Sequence, residues 1–288
     1  MTTITQALAE GSRRLERAGV DEARRTAGVL LAHRLNVDRT HLLTHPEQPM
    51  SEEDYESYLR MIERRAAGEP LQYVTGHQEF YKLDFLVTPA VLIPRPETEF
   101  LVERVLALVG DARLASPLIV DAGTGSGCIA VTLAVELPAA RVIATDISGA
   151  ALAVARQNAE RHGVDSRVAF YEGDLLAPLA ALGVENQVDV LASNPPYVAA
   201  GQPGLVQREV RDYEPHAALF GGDDGLIFYR RLLAEGYDVV RPGGHLVCEI
   251  GYSQLDAITA MVAASRWQLA DVTHDLQGIP RTLTMRRP

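Results

Sequence analysis

Leu118-Ile119-Val120-Asp121-Ala122-Gly123-Thr124-Gly125-Ser126-Gly127 is an apolar run that passes straight into a glycine loop, and an apolar helical segment follows it. In a strand-loop-helix context the glycines let the backbone turn tightly and approach a ligand, and the helix start turns its N–H groups toward it. A nucleotide-like ligand belongs there. Gly123, Thr124, Gly125, Ser126 and Gly127 are the candidate cofactor-binding residues. The spacing is G-x-G-x-G, and Cys128 stands where the dinucleotide fingerprint has its last glycine, which weakens a pyrophosphate reading. Asp146 ends the next strand, where a carboxylate can accept from both ribose hydroxyls. Spacing alone does not separate NAD from S-adenosyl-L-methionine (SAM).

On either side of this loop, strands and helices alternate. Helices are predicted at 97–109, 127–136, 150–161 and about 225–237, and strands at 118–121, 142–146, 168–171, 188–193 and 244–250. That alternation predicts an α/β fold, a Rossmann-like and mostly parallel sheet with helices on both faces. Residues 1–67 read instead as helices joined by short turns. Thr3 and Asp21 are candidate caps, and Ser51 with Asp54 resembles a capping box. This segment holds no catalytic constellation, and its expected part is to dock a partner. Residues 68–95, rich in Tyr, Phe and Val among Gly76, Pro89 and Pro94, are predicted to be an extended hairpin linker. Residues 96–288 form the expected catalytic domain.

The 288 residues carry 47% hydrophobic and 23% charged side chains, an ordinary globular balance that excludes disorder and fibrous folds. Net charge is −11, with 11 basic against 14 acidic residues over 1–90 and 16 against 24 over 91–288, so neither part offers a basic field to nucleic acid. Lys82 is the only lysine. Cys128 and Cys248 lie far apart in apolar strings and read as reduced core residues. His41 and His45 share a helical spacing, but Pro46 beside them suggests a helix end, and no metal is expected. There is no leader-like start and no apolar run of membrane-spanning length, so a cytoplasmic chain with no membrane partner is expected; the spacing says nothing of oligomeric state, and a monomer is the default.

The segment that speaks to chemistry is Val190-Leu191-Ala192-Ser193-Asn194-Pro195-Pro196-Tyr197. Two prolines cannot extend a central strand, so the chain leaves at the sheet's carboxyl edge, on the same side as the glycine loop. The Asn194 side-chain carbonyl and the Pro195 main-chain carbonyl can present two acceptors to a planar NH2 group while Tyr197 lies against its plane. An amide nitrogen is a poor nucleophile because its lone pair is delocalised. The two acceptors return electron density as the nitrogen pyramidalises toward an electrophilic methyl. Asp174, after the third strand, can accept from an adenine amino group, with Leu175 against the ring.

Asn194-Pro195-Pro196-Tyr197 together with Asp121-x-Gly123-x-Gly125-x-Gly127 resembles class I SAM-dependent methyltransferases that act on planar NH2 nitrogens, among them adenine-N6 DNA enzymes and glutamine-N5 protein enzymes. Pro70-Leu71-Gln72-Tyr73, Gly76, Glu79-Phe80 and Leu92-Ile93-Pro94-Arg95-Pro96-Glu97-Thr98-Glu99 are similar to the release-factor glutamine methyltransferases, the HemK/PrmC family. Tyr213-Glu214-Pro215, Gly221-Gly222 and Asp224-Gly225-Leu226 fit the same family. The resemblance implies a seven-stranded sheet whose last strand is antiparallel. It implies SAM, with S-adenosyl-L-homocysteine as product, at Gly123 to Gly127, Asp146 and Asn194. Asn194, Pro195, Pro196 and Tyr197 would hold the substrate amide, with Arg95 and Glu97 lining the entrance. The implied substrate is the glutamine of the Gly-Gly-Gln loop of class I peptide chain release factors. A close branch acts on a glutamine of the third large-subunit ribosomal protein, and the site motifs do not separate the two. An adenine-N6 nucleic-acid enzyme would need a basic groove that the charge distribution does not offer.

Overall fold

The computed structural model describes residues 2–201 and 207–288. They form two compact units: residues 2–77 with 207–213, and the remainder.

In the first unit α1 (Ile4–Arg17) opens at Thr3, whose hydroxyl accepts from the Gln6 N–H while the Gln6 side chain accepts from the Thr3 N–H. The expected cap at Asp21 is not used. α2 (Ala23–Leu35) follows Glu22, which is left-handed at φ 50° and makes no side-chain cap bond. After α3 (Arg39–Thr44), α4 (Glu52–Ala66) opens at Ser51, which accepts from the Asp54 N–H at 3.0 Å, with three acidic residues in the first turn. α5 (Leu71–Thr75) corrects a second expectation, because this part of the supposed extended linker is helical. Pro70 fixes its entry, Gly76 at φ +79° ends it, and Tyr73 and Val74 are buried. α5 packs on α2 and α4, which carries the helical unit to residue 77 rather than 67. Ile4, Leu15, Leu30, Leu31, Tyr58 and Ile62 form its core.

β1 (His77–Phe80) and β2 (Leu83–Leu86) make the expected hairpin. Its turn is Tyr81-Lys82, both left-handed, and the Tyr81 N–H donates to Glu99 Oε1 at 2.8 Å. A 3-10 turn, Pro96–Thr98, precedes α6 (Glu99–Asp111), where the pattern suggested one continuous helix from residue 97. Then follow β3 (Leu118–Ala122), α7 (Cys128–Glu136), β4 (Arg141–Asp146), α8 (Gly149–Arg161), β5 (Val168–Glu172) and β6 (Val188–Ser193). α9 (Arg208–Tyr213) belongs to the helical unit. α10 (Ile227–Val239), β7 (Val240–Glu249), α11 (Leu255–Ala263), β8 (Gln268–His274) and β9 (Pro280–Arg286) complete the chain.

The sheet order is β5-β4-β3-β6-β7-β9-β8, parallel through β7, with β9 antiparallel to both of its neighbours. Side chains alternate across the sheet. Ile119, Val142, Ala144 and Val190 pack with α6 and α7 on one face, while Val120, Ile143, Leu191 and Leu246 pack with α10 and α11 on the other. Burial throughout β3, with Asp121 its single polar residue, suits a central strand covered on both faces.

Asn158 of α8 fastens the hairpin to the glycine loop. It is fully buried, accepts from the Leu86 N–H at 2.7 Å, and donates to Leu86 O at 3.0 Å and Ser126 O at 2.9 Å. Asn158→Ala leaves all three partners short of a bond, so a loss of about 2–4 kcal/mol is expected, lowering the unfolding temperature by on the order of 10 °C. Calorimetry checks this; an unshifted transition would show that water replaces the asparagine.

Candidate active site

β3, β4 and β6 end at one edge of the sheet, and the glycine loop, Asp146 and the Asn194 turn stand at those ends. Asp121 pairs in register with Ala144 and Ala192, and Ser193 Oγ donates to Ala122 O at 2.7 Å. The glycine loop leaves β3 with Gly123, Gly125 and Gly127 all left-handed, at φ +76°, +55° and +81°, conformations a side chain would strain. Much of its donor set is spent within the protein. The Gly123 and Thr124 N–H groups donate to Thr145 O at 2.9 Å, Gly127 N–H to Thr124 O at 2.8 Å, and Gly125 N–H to Asp146 Oδ2 at 2.9 Å. This loop is tied to β4 rather than opened toward a polyphosphate.

Asp146 also accepts from the Ser148 N–H through Oδ1 at 2.9 Å, and its two oxygens keep lone-pair directions for a further donor. Burial raises its pKa, and the Ser148, Gly125 and Ile147 N–H groups oppose that rise. Beside it Ile147 is 64% exposed, an apolar face at the rim of a polar edge. A carboxylate with free lone pairs next to an open apolar side chain, without a cluster of cations, fits the ribose and adenine of SAM. Asp174 is exposed and its carboxylate takes Arg231 Nη1 at 2.8 and 3.0 Å. Leu175 is left-handed at φ 52°, its carbonyl held by Thr145 Oγ1 at 2.8 Å, and its side chain lies in the core, so Ile147 offers the open apolar face.

The Asn194-Pro195-Pro196-Tyr197 turn leaves β6 at the same edge and is braced from behind. Val198 exchanges backbone bonds with Leu219 and Gly221, and Gln254 Nε2 donates to Tyr197 O at 3.1 Å. A Cβ on Gly221 would lie 2.4 Å from Pro196 O, and one on Gly225 2.3 Å from Tyr197 O, so these glycines admit the turn's carbonyls. The Asn194 amide donates to Thr98 Oγ1 at 3.1 Å, which donates to Glu249 Oε2 at 2.6 Å. Burial, with the Glu249 charge adding, holds the Tyr197 phenol well above its usual pKa, so the ring stays neutral. Arg95 pairs with the buried Glu214, which also accepts from the Ile93 N–H at 3.1 Å, so Arg95 anchors the segment before α6. Glu97 lies 3.8 Å from Arg281.

Comparison with known proteins supplies the family. Residues 6–76 match the PrmC N-terminal domain and residues 97–213 the methyltransferase small domain. A release factor glutamine methyltransferase of Koribacter versatilis is 45% identical over 99% of both chains. The chain belongs to the release factor glutamine methyltransferase family. Another member, from Moorella thermoacetica, is 49% identical over 91% of this chain and 90% of its own. The N-terminal domain of human METTL16, solved in complex with SAH, shares the fold at a TM-score of 0.53 and 16% identity, covering 85% of this chain and 87% of that one. The architecture is that of class I methyltransferases.

Four buried residues at the site, Asp121, Thr98, Glu214 and Glu249, are not among the site residues read from the sequence, although the first three lie inside quoted motifs. Asp121 accepts from Thr124 Oγ1 at 2.6 Å and from the Ala130 N–H at 3.2 Å through Oδ2, while its buried Oδ1 has no partner. Thr98, Glu214 and Glu249 are buried polar residues near Asn194 or Arg95. Thr98 and Glu214 sit inside the family motifs, but their roles depend on partners distant in sequence. Among the described residues no group of three His, Cys, Asp or Glu gathers as a metal site, and no helix is long and apolar enough to cross a membrane. The His41 and His45 rings stack at 4.3 Å.

Burial pushes the Asp121 carboxyl from 3.8 up to about 7, against the opposing bonds from Thr124 and Ala130. The folded chain then holds this proton more tightly than the unfolded chain, so stability from this group falls as pH rises from the unfolded value to about 7 and levels off above it. Asp121→Asn, which has no proton to lose, is expected to raise the unfolding temperature relative to wild type more at about pH 8 than at about pH 5. Thermal unfolding at both pH values checks this, and an equal difference at the two would contradict it.

Proposed function

We propose that the chain transfers a methyl group from SAM to the N5 side-chain amide of the glutamine in the Gly-Gly-Gln loop of class I release factors. The observation that carries this reading is the Asn194-Pro195-Pro196-Tyr197 turn, whose Asn194 amide has its NH2 occupied by Thr98 and its carbonyl oxygen left to accept. Family membership supports the substrate, because the relatives at 45% and 49% identity are named for release factor glutamine methylation.

When bound, SAM supplies a sulfonium methyl, an electrophile that needs only a nucleophilic lone pair. This chain's residues make one. Asn194 Oδ1 and Pro195 O accept the two N–H bonds of the glutamine amide and favour the build-up of positive charge on its nitrogen. The Tyr197 ring packs against the amide plane. A preorganised pair of reactants removes up to roughly 7–11 kcal/mol of the barrier, and the fixed carbonyl dipoles add to it. The methylated nitrogen is acidic and releases its proton to water without a strong base. Asp146 binds the ribose hydroxyls, Ile147 lies against the adenine, and Asp174 accepts at the adenine rim through the lone pairs that Arg231 leaves. Arg95 holds the entrance segment through Glu214. The helical unit docks the body of the partner, and the chain works as a cytoplasmic monomer.

The test is incubation with methyl-labelled SAM and purified release factor, the third large-subunit ribosomal protein and DNA in parallel. Label is expected in the release factor; label appearing only in the ribosomal protein or only in DNA overturns the reading. Asn194→Ala is expected to lower kcat by about 100- to 1,000-fold with the fold retained. Near-normal turnover in that variant would remove Asn194 from the chemistry. Asp146→Ala is expected to weaken SAM binding by about 10- to 100-fold, as loss of one charge-assisted bond or more implies, and titration calorimetry reads it directly.

A further inference from the structure

An amide acceptor serves a reacting nitrogen only if it cannot turn over. The Asn194 side chain ends in an oxygen and an NH2 of nearly equal size, and rotation about its last torsion exchanges them. In one orientation a carbonyl faces the substrate amide. In the other, N–H meets N–H.

Two buried residues decide between these orientations. Thr98 is 2% exposed and Glu249 3% exposed, and they stand in line behind Asn194, at 3.1 Å from Nδ2 to Thr98 Oγ1 and 2.6 Å from Oγ1 to Glu249 Oε2. A hydroxyl has a single proton, and the ionised Glu249 carboxylate, the form above about pH 7, only accepts. Thr98 therefore donates to Glu249 and meets Asn194 with an oxygen lone pair, which the Asn194 NH2 satisfies. A reversed amide would set its carbonyl against an oxygen with no proton left to give, inside a buried pocket. Glu249 is itself fixed at the end of β7, where it pairs in register with Thr282 of β9 and its main-chain carbonyl accepts from Tyr229 Oη at 2.9 Å. Thr98 is fixed by its N–H bond to Arg95 O at 3.1 Å.

We propose that Thr98 and Glu249 are positioning residues, a two-step relay that locks the Asn194 carbonyl toward the substrate amide. This inference rests on the methyl-transfer reading above. It accounts for a carboxylate buried at the edge of the site that the transfer chemistry does not otherwise use.

Thr98→Val keeps the side-chain shape and deletes the relay. With release factor as substrate at about pH 8, its kcat is expected to fall about 10- to 100-fold, while SAM affinity and the KM for release factor stay within about threefold. Thr98→Ser restores the hydroxyl and is expected to recover most of the lost kcat. Thr98→Ala serves if the valine variant does not fold, with the same expectation. Wild-type kcat in Thr98→Val or Thr98→Ala overturns the inference, as does an equal loss in serine and valine. A loss of SAM affinity and thermal stability in step with kcat also overturns it, because packing alone would then explain the residue. A wild-type chain that transfers no methyl group to the release factor overturns the functional reading and the relay together, whereas the other outcomes leave that reading standing.

Discussion

The parallel register of β4, β3 and β6 is the constraint on which the site depends. Ala122 lies opposite Thr145, and Asp121 opposite Ala192, so the three strands run out at one level and their loops leave together. Asp146 therefore reaches the Gly125 N–H, and Asn194 emerges beside the glycine loop. Strand side chains alternate with a period of two, so a slip of one residue in β6 would turn Leu191 and Ala192 to the wrong faces and carry Asn194 off the edge. The apolar faces above and below the sheet hold the register, and the register holds the chemistry.

Around that edge the protein keeps several carboxylates out of water. Asp121, Glu214 and Glu249 are all buried, and burial pushes both Asp121 and Glu249 up to about 7. Each holds its own donors in place. Asp121 takes the Thr124 hydroxyl and the Ala130 N–H, Glu214 holds Ile93 and Arg95, and Glu249 takes the Thr98 hydroxyl. Buried acceptors cost stability and hold their donors in fixed directions. A site that must orient a neutral amide has reason to use such groups.

What is legible in the sequence is whatever the backbone announces locally. Glycines at positive φ after an apolar run, and two prolines closing another, mark the glycine loop and the Asn194 turn without any tertiary information. The hairpin turn is not so marked, since Tyr81 and Lys82 adopt left-handed conformations without glycine or asparagine. β8 and β9 follow only from the family resemblance, because β8 lies at the sheet edge, largely exposed and without a clean apolar alternation. The helix at Leu71–Thr75 reads as extended because its aromatic and β-branched residues outweigh five residues' helical preference, and packing on α2 and α4 decides otherwise. The Thr98 to Glu249 contact spans 151 residues, so no spacing rule finds it. Asp174 follows β5 in sequence, but its bond to Arg231 lies 57 residues away and is equally tertiary.

The central claim is that this edge methylates one planar amide nitrogen, presented by a glutamine on an exposed loop. Tandem mass spectrometry of release factor after reaction with SAM and this enzyme tests it most directly, by locating the added methyl group to a residue and an atom. A single methyl group on the side-chain nitrogen of the Gly-Gly-Gln glutamine is the expected result. A methyl group on a lysine, on an arginine, on a backbone nitrogen or on a glutamine elsewhere in the factor would contradict it.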